Sequence, residues 1–458
     1  MTNFSEMPLS APLQRALAEV NYAEMTPVQA ASLPVILAGR DVMAQAMTGS
    51  GKTAAFALGL LSTLDATRSQ LQGLVLCPTR ELADQVSREI RRLACFVPNV
   101  KVLTLCGGVP VRVHLTSLAH APHIVVGTPG RILDLLQKAA LSLSALKTLV
   151  LDEADRMLDM GFAEDLGAII ECAPKPRQTL LFAATMPQPI RIFSRQYQHQ
   201  PQDVTLASDA AETLIDQIFF EVEAEHKLAA LATLLLQRRP ESAVVFCNTR
   251  DGVRAVTDAL CQRGFSALAL HGELEQRERE EILVRFANRS SNVLIATDVA
   301  ARGLDIKELP MVINYDLATD PDTHLHRIGR TGRAGRQGIA LSLCTPWETV
   351  RADLLVQQPH KALSWSKVPL LPRGNESWAA PFDTFVVDAG RQDKLRPGDV
   401  LGALTGAAGL PGEAVGKIDV FATRTYVAVA REWGELALQR LRAGKIKGRK
   451  FRIRPLGH

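Results

Sequence analysis

The chain has 458 residues, 47% of them apolar and 22% charged, with a formal net charge of +4 and seven cysteines. That length allows roughly three domains of about 150 residues each, and the composition excludes a disordered or fibrous chain. No apolar stretch approaches the ~18 residues that span a bilayer, no basic start leads into an apolar run, and no cysteine pair has metal-ligand spacing. A cytoplasmic protein with reduced thiols and no membrane contact is therefore expected.

Over residues 1–205, short apolar runs alternate with amphipathic segments. Leu74-Val75-Leu76, Ile124-Val125-Val126, Leu149-Val150-Leu151 and Leu180-Leu181-Phe182 read as buried strands, and Glu81 to Leu93 has helical spacing. Strand and helix in turn imply right-handed crossovers and a parallel sheet. After a polar break the alternation resumes over 213–356, in Ala243-Val244-Val245-Phe246, Ala267-Leu268-Ala269-Leu270, Val293-Leu294-Ile295-Ala296 and Val312-Ile313-Asn314. Residues 357–381 are punctuated by Pro359, Pro369, Pro372, Gly374 and Pro381 and read as a linker. Residues 382–458 read as a small α+β unit, with strands over 384–388, 415–420, 425–430 and 450–454 and helices over 396–404 and 432–441. That βαββαβ order is ferredoxin-like or RRM-like.

The first domain carries Ala46-Met47-Thr48-Gly49-Ser50-Gly51-Lys52-Thr53. Its glycines let backbone N–H groups converge on phosphate oxygens, and the helix that follows turns its positive end to the same anion. Lys52 would reach the β- and γ-phosphates and Thr53 would ligate Mg2+. About 100 residues on, Asp152-Glu153-Ala154-Asp155 ends an apolar run, at the strand end where open α/β sheets bind ligands. Asp152 is the candidate metal ligand and Glu153 the candidate general base for an attacking water. Gln29, in Thr26-Pro27-Val28-Gln29, carries an amide able to pair with the N6/N7 edge of adenine.

The second domain has no phosphate loop. It has His326-Arg327-Ile328-Gly329-Arg330-Thr331-Gly332-Arg333-Ala334-Gly335-Arg336, whose guanidiniums suit phosphate forks. Further short motifs follow strand ends. They are Pro78-Thr79-Arg80, Gly107-Gly108, Thr128-Pro129-Gly130-Arg131, Asn248-Thr249-Arg250, His271-Gly272 with Gln276 and Arg279, and Thr297-Asp298. Singly, each is ordinary capping and turn chemistry. Together they supply short donors, glycine backbone and arginine without a stacking aromatic, which suits phosphate and 2′-OH contacts to RNA.

In this order the motifs resemble those of the DEAD-box ATP-dependent RNA helicases. The resemblance covers both α/β domains and implies two tandem RecA-like domains that use ATP and Mg2+. It implies that Tyr22 stacks on adenine, Asp305 touches the ribose, and Asp155 faces a neighbouring loop of its own domain. Arg330 and Arg333 would reach the γ-phosphate when the domains close. Ala46 matches the family's loop, whereas Met25 replaces a common Pro and Phe4 stands in for a distant aromatic. Ala183-Ala184-Thr185 replaces Ser-Ala-Thr, removing a hydroxyl that the family uses to tie nucleotide state to strand separation. An ATP-gated RNA clamp with weak unwinding is the alternative this leaves open.

From Phe382 onward, 14 Lys/Arg face 8 Asp/Glu, so the basic charge is concentrated at the C-terminal end, as in an appended nucleic-acid module. The aromatic-rich strand of an RRM is absent, and Tyr426 is alone within 425–430, so RNA is expected on a surface other than the sheet. Arg396-Pro397-Gly398-Asp399-Val400-Leu401-Gly402-Ala403-Leu404, with Gly444-Lys445-Ile446-Lys447-Gly448-Arg449, resembles the end of bacterial DEAD-box helicases of ribosomal RNA. That likeness implies a monomer whose Lys445, Lys447 and Arg449 grip a 23S rRNA hairpin in pre-large-subunit particles.

Overall fold

Apolar residues on both sides of each predicted strand demand cover on both faces, and helices supply it. A computed structural model describes residues 3–46, 49–205, 215–301, 309–332, 337–356, 363–369, 378–407 and 409–456. The candidates Thr48, Asp305 and Arg333 lie outside the described residues. The chain divides into two compact units, one holding the first seven strands and the other the remainder.

In the first unit the strands are β1 Val42–Gln45, β2 Gly73–Leu76, β3 Val102–Leu105, β4 Ile124–Gly127, β5 Thr148–Asp152, β6 Gln178–Ala183 and β7 Gln202–Thr205. They form one sheet in the order β3-β4-β2-β5-β6-β1-β7, and the neighbouring pairs are parallel. Period-2 alternation sends Val75, Val126, Val150 and Phe182 into one core and Leu74, Leu76, Leu151 and Leu181 into the other. Because the strands are parallel, the segments after β1 and β5 leave from the same edge, with only β6 between them.

The second unit repeats this plan with β8 Ile215–Glu221, β9 Ala243–Phe246, β10 Ala267–Leu270, β11 Val293–Ala296, β12 Met311–Asn314, β13 Gly338–Cys344 and β14 Ser364–Ser366. The order is β10-β11-β9-β12-β13-β8-β14, again with parallel neighbours. β14 falls inside the stretch read as linker. It forms because Trp365 packs on the buried Phe219 ring, 5.7 Å between centroids.

The same unit ends in an antiparallel sheet of β15 Phe382–Val387, β16 Val415–Val420, β17 Thr425–Ala430 and β18 Ile453–Pro455, ordered β16-β17-β15-β18. Phe385, Val387, Val427 and Val429 point to one face. Val400 of helix Pro397–Gly402, Leu404, and Ala437 and Leu441 of helix Arg431–Ala443 cover it. The fold class is as predicted: two tandem RecA-like parallel-sheet domains and a small α+β domain of RRM-like order. The last strand is shorter than the predicted 450–454, because Lys447 (φ 52°) and Gly448 (φ 76°) turn the chain before it.

Candidate active site

Gly49 and Gly51 both adopt left-handed backbone, φ 89° and 91°, and helix Lys52–Thr63 starts directly after them. A Cβ on Gly51 would lie 2.5 Å from Gln29 Nε2, so only glycine fits. Gln29 belongs to a capping box. Its backbone N–H donates to Thr26 Oγ1, its Oε1 accepts the Thr26 N–H at 2.8 Å, and its Nε2 donates to the Gly51 carbonyl at 2.9 Å. One N–H and one lone pair of the amide remain for a base. Tyr22 is half-buried, donates its hydroxyl to Glu89 at 3.0 Å and stacks on the buried Phe4 ring.

Lys52 reaches across the sheet edge to Asp152 at the end of β5, Nζ to Oδ1 2.7 Å, with both side chains buried. Burial works against the Lys52 charge, but Asp152 and Glu153 outweigh it and hold the ammonium above its ordinary value. Burial pushes the Asp152 carboxyl up, and Glu153 adds to this against the pull of Lys52. Among the described residues, Ser50 Oγ and Asp152 Oδ2 are buried without a hydrogen-bond partner. A buried carboxylate oxygen with spare acceptor capacity, beside a loop of N–H donors, fits a hard cation and a phosphate.

Glu153 has φ 54° and ψ 51°, a left-handed conformation that a non-glycine residue adopts at about 1–3 kcal/mol. Its carboxylate accepts from Arg156 Nη1 at 2.9 Å, with both side chains almost fully buried. Asp155 accepts the Ala184 N–H at 3.0 Å, the Thr185 N–H at 2.9 Å and the Thr185 hydroxyl at 3.2 Å. Asp155 therefore faces the loop after β6, as expected.

Within each unit the short motifs share one design. Thr79, Thr249 and Thr297 each accept a backbone N–H at the start of the next helix, and Thr128 accepts the Gly107 N–H. A Cβ on Gly108 would lie 2.0 Å from the Arg80 guanidinium, so that glycine gives Arg80 its resting place. Pro78 is buried, whereas Gly130 and Gly272 are exposed. Arg131 is turned inward, donating to the Val109 carbonyl at 2.9 Å and to His114 Nδ1 at 2.6 Å. Arg250 pairs with Glu273, and Gln276 is half-buried at the start of helix Gln276–Ala287. Arg330 is buried just after helix Pro321–Ile328.

Two arginines take roles that no motif announces. Arg156 holds Glu153. Arg327, fully buried, holds Asp298 through Nε at 2.6 Å and Nη2 at 2.7 Å. It also holds the Asn248 side chain at 2.6 Å and the Asp316 carbonyl at 2.6 Å. It thus ties the Asn248 and Thr297 motifs to the arginine-rich helix. In the C-terminal sheet domain, Lys445, Lys447 and Arg449 are exposed around the buried Ile446.

Comparison with known proteins agrees with this geometry. Residues 26–193 match the DEAD/DEAH box helicase family, 226–335 the helicase conserved C-terminal domain, and 384–455 the DbpA RNA binding domain. The chain is 54% identical to the ATP-dependent RNA helicase DbpA of Escherichia coli K12 over the full length of both. It is 44% identical to the DEAD-box ATP-dependent RNA helicase CshA of Bacillus cereus, over 82% of this chain and 72% of that one. Among solved structures it resembles S. cerevisiae Dbp5 bound to RNA and ADP BeF3, with TM-score 0.71 and 28% identity over 80% of this chain and 96% of that chain. Mss116p bound to ssRNA and AMP-PNP gives 0.71 and 26%, over 80% and 79%. The chain belongs to the DEAD-box ATP-dependent RNA helicases and carries an RNA-binding domain at its C-terminal end.

Proposed function

We propose that the helicase remodels structured ribosomal RNA, 23S rRNA during large-subunit assembly, as a cytoplasmic monomer. In this reading residues 1–205 and 213–356 are the two motor domains, 357–381 the linker and 382–458 the targeting domain. The observation that carries the motor chemistry is the 2.7 Å Lys52–Asp152 pair, which brings the phosphate loop and the acidic strand end together. ATP draws Lys52 onto its β- and γ-phosphates and frees Asp152. Asp152 and Thr53 would hold Mg2+, which neutralises charge on the phosphate oxygens when bound. Glu153, steadied by Arg156, takes the proton of the attacking water. Tyr22, Gln29, Thr48 and Asp305 fix the nucleoside and phosphates, and Arg330 and Arg333 stabilise the charge that develops on the transferred group.

RNA phosphates lie along Pro78, Thr79, Arg80, Gly108, Thr128, Gly130 and Arg131, and along Thr249, Arg250, Gly272, Gln276 and Thr297. Lys445, Lys447 and Arg449 hold the targeting hairpin. The ribosomal target is supported by the C-terminal motif and its basic charge. The test has two arms. ATP turnover is measured with and without RNA; equal rates reject the coupling, and Arg333→Ala should lower the stimulated rate by at least ~10³-fold. Crosslinking the full chain to total cellular RNA should recover one ribosomal site; scattered messenger fragments would remove the target.

A further inference from the structure

The C-terminal sheet has a second face, opposite its own helices. Its residues alternate with the core set: Thr384 and Val386 on β15 pair with Ala428 and Tyr426 on β17. In an RRM this face is open and its aromatics stack RNA bases. Here these four side chains are 2%, 0%, 1% and 3% exposed. The element packed on them is helix Gln276–Ala287 of the second motor domain, together with the turn after it. Val284 clusters with Val386, Tyr426 and Leu456. Asn288 Nδ2 donates to Thr384 Oγ1 at 3.4 Å, and Ser290 and Thr384 share a hydroxyl bond at 2.5 Å. Glu281 accepts Arg424 at 3.3 Å and Arg454 at 3.5 Å, both from the C-terminal domain, beside its own-helix partner Arg277.

The geometry points to a docked C-terminal domain whose sheet face, the RNA platform of an RRM, is given over to the second motor domain. A merely tethered domain would not bury Tyr426, Thr384 and Val386 under a partner helix. Nor would it place two arginines on one acid that has no role in its own domain's active site. The consequence is mechanical. Helix Gln276–Ala287 carries Gln276 and Arg279 at its start, and Arg279 Nη2 donates at 2.7 Å to the carbonyl of Ala300, in the short helix Asp298–Ala301 that follows β11. One short helix thus joins the candidate RNA loops of the motor domain to the targeting domain, so the hairpin is held at a fixed position relative to them. RNA is left to the exposed turn bearing Lys445, Lys447 and Arg449. The docking stands on the contacts alone; the placement of RNA rests on the reading proposed above.

Hydroxyl-radical footprinting of the full chain reads both. Tyr426 should be modified slowly in the wild type. Val284→Asp and Glu281→Arg should each raise its rate by at least about tenfold, as a ring that is 3% exposed opens to solvent. Glu281→Arg with Arg424→Glu should return it toward the wild-type rate. ATP turnover stimulated by poly(A) should be unchanged by Val284→Asp, which shows that the motor still folds. Adding ribosomal RNA should leave the Tyr426 rate as it was and protect Lys445 and Lys447. A Tyr426 that is modified rapidly in the wild type, or shielded only when RNA is added, overturns the docking. A slow Tyr426 with no protection of the lysines supports the docking and removes the RNA placement.

Discussion

In the proposed mechanism, Asp155 and the Ala183-Ala184-Thr185 segment at the end of β6 link nucleotide chemistry to strand separation. Asp155 is 3% exposed; besides the Arg156 N–H on Oδ1, its Oδ2 accepts two backbone N–H groups and the Thr185 hydroxyl from this segment. Thr185→Val keeps the shape and removes only the hydroxyl bond. Hydrogen bonds to a charged group contribute roughly 1.5–3 kcal/mol. At 3.2 Å the hydroxyl bond is the longest of the three, and two amides remain, so the low end applies. About 1.5 kcal/mol corresponds to about tenfold in a rate. Ala183 is different. Its side chain is buried in an apolar cluster that also holds Ala154, Met157, Leu181 and Ile190, and the loop's three hydrogen bonds to Asp155 Oδ2 all come from residues 184 and 185. Ala183→Ser should therefore change strand displacement per ATP by less than about twofold, and its buried hydroxyl should lower stability by about 1–3 kcal/mol. The assay is displacement of a tailed RNA duplex, normalised to ATP hydrolysed. The reasoning is refuted if Ala183→Ser raises displacement per ATP about tenfold while Thr185→Val is silent.

Three other outcomes follow from the same structure. Gly108→Ala places a methyl 2.0 Å from the Arg80 guanidinium and strains a φ of +71°, so RNA affinity should fall. Its salt dependence should flatten by about 0.7 per lost phosphate contact on single strands, read by anisotropy at increasing KCl. Arg327→Met leaves Asp298 and Asn248 without their guanidinium and should lower the unfolding free energy by about 3–5 kcal/mol in urea. Arg327→Lys should not restore it, because an ammonium cannot span those acceptors. His324 is held at about pKa 4 by burial, reinforced by Arg327, and its Nε2 bonds Gln217 Oε1 at 3.1 Å. Between pH 4 and its ordinary value near 6.5 the unfolded chain binds a proton that the fold refuses. Stability is then full above pH 6.5 and falls by roughly 3 kcal/mol on acidification to pH 4; His324→Gln should flatten that slope.

The acids, the phosphate loop and the domain plan were readable because each depends on local pattern. Glycine beside Lys52 has no other economical use, and an apolar run ending in Asp152 fixes which sheet edge the acids occupy. What could not be read are partners brought together by the sheet. Arg156 and Arg327 look like any other arginine until the fold sets Glu153 and Asp298 against them. Arg131 reads as a phosphate ligand, and only the fold shows that its Nη1 also donates to the Val109 carbonyl and to His114. Periodicity of two puts Tyr426 opposite Val427, but no pattern within the strand could say that Val284, over 140 residues earlier, lies on top of it.

The single left-handed residue at Glu153 explains why four consecutive residues can serve three tasks. Had the helix begun at Asp152 with regular geometry, residues 152 and 155 would fall on one face, about one turn apart. Instead β5 delivers Asp152 while still extended, so its carboxylate meets Lys52. The turn at φ 54° then swings Glu153 away onto Arg156 and starts helix Ala154–Asp159 one residue later. Asp155, in the first turn, is thereby aimed at the loop after β6. Backbone strain of about 1–3 kcal/mol is offset by the five polar contacts it makes possible: one to Lys52, one to Arg156 and three to the 184–185 loop. In the proposed mechanism, metal binding, proton transfer and the link to RNA diverge from one strand end, and conservative changes at 152, 153 and 155 should therefore give three different kinetic defects.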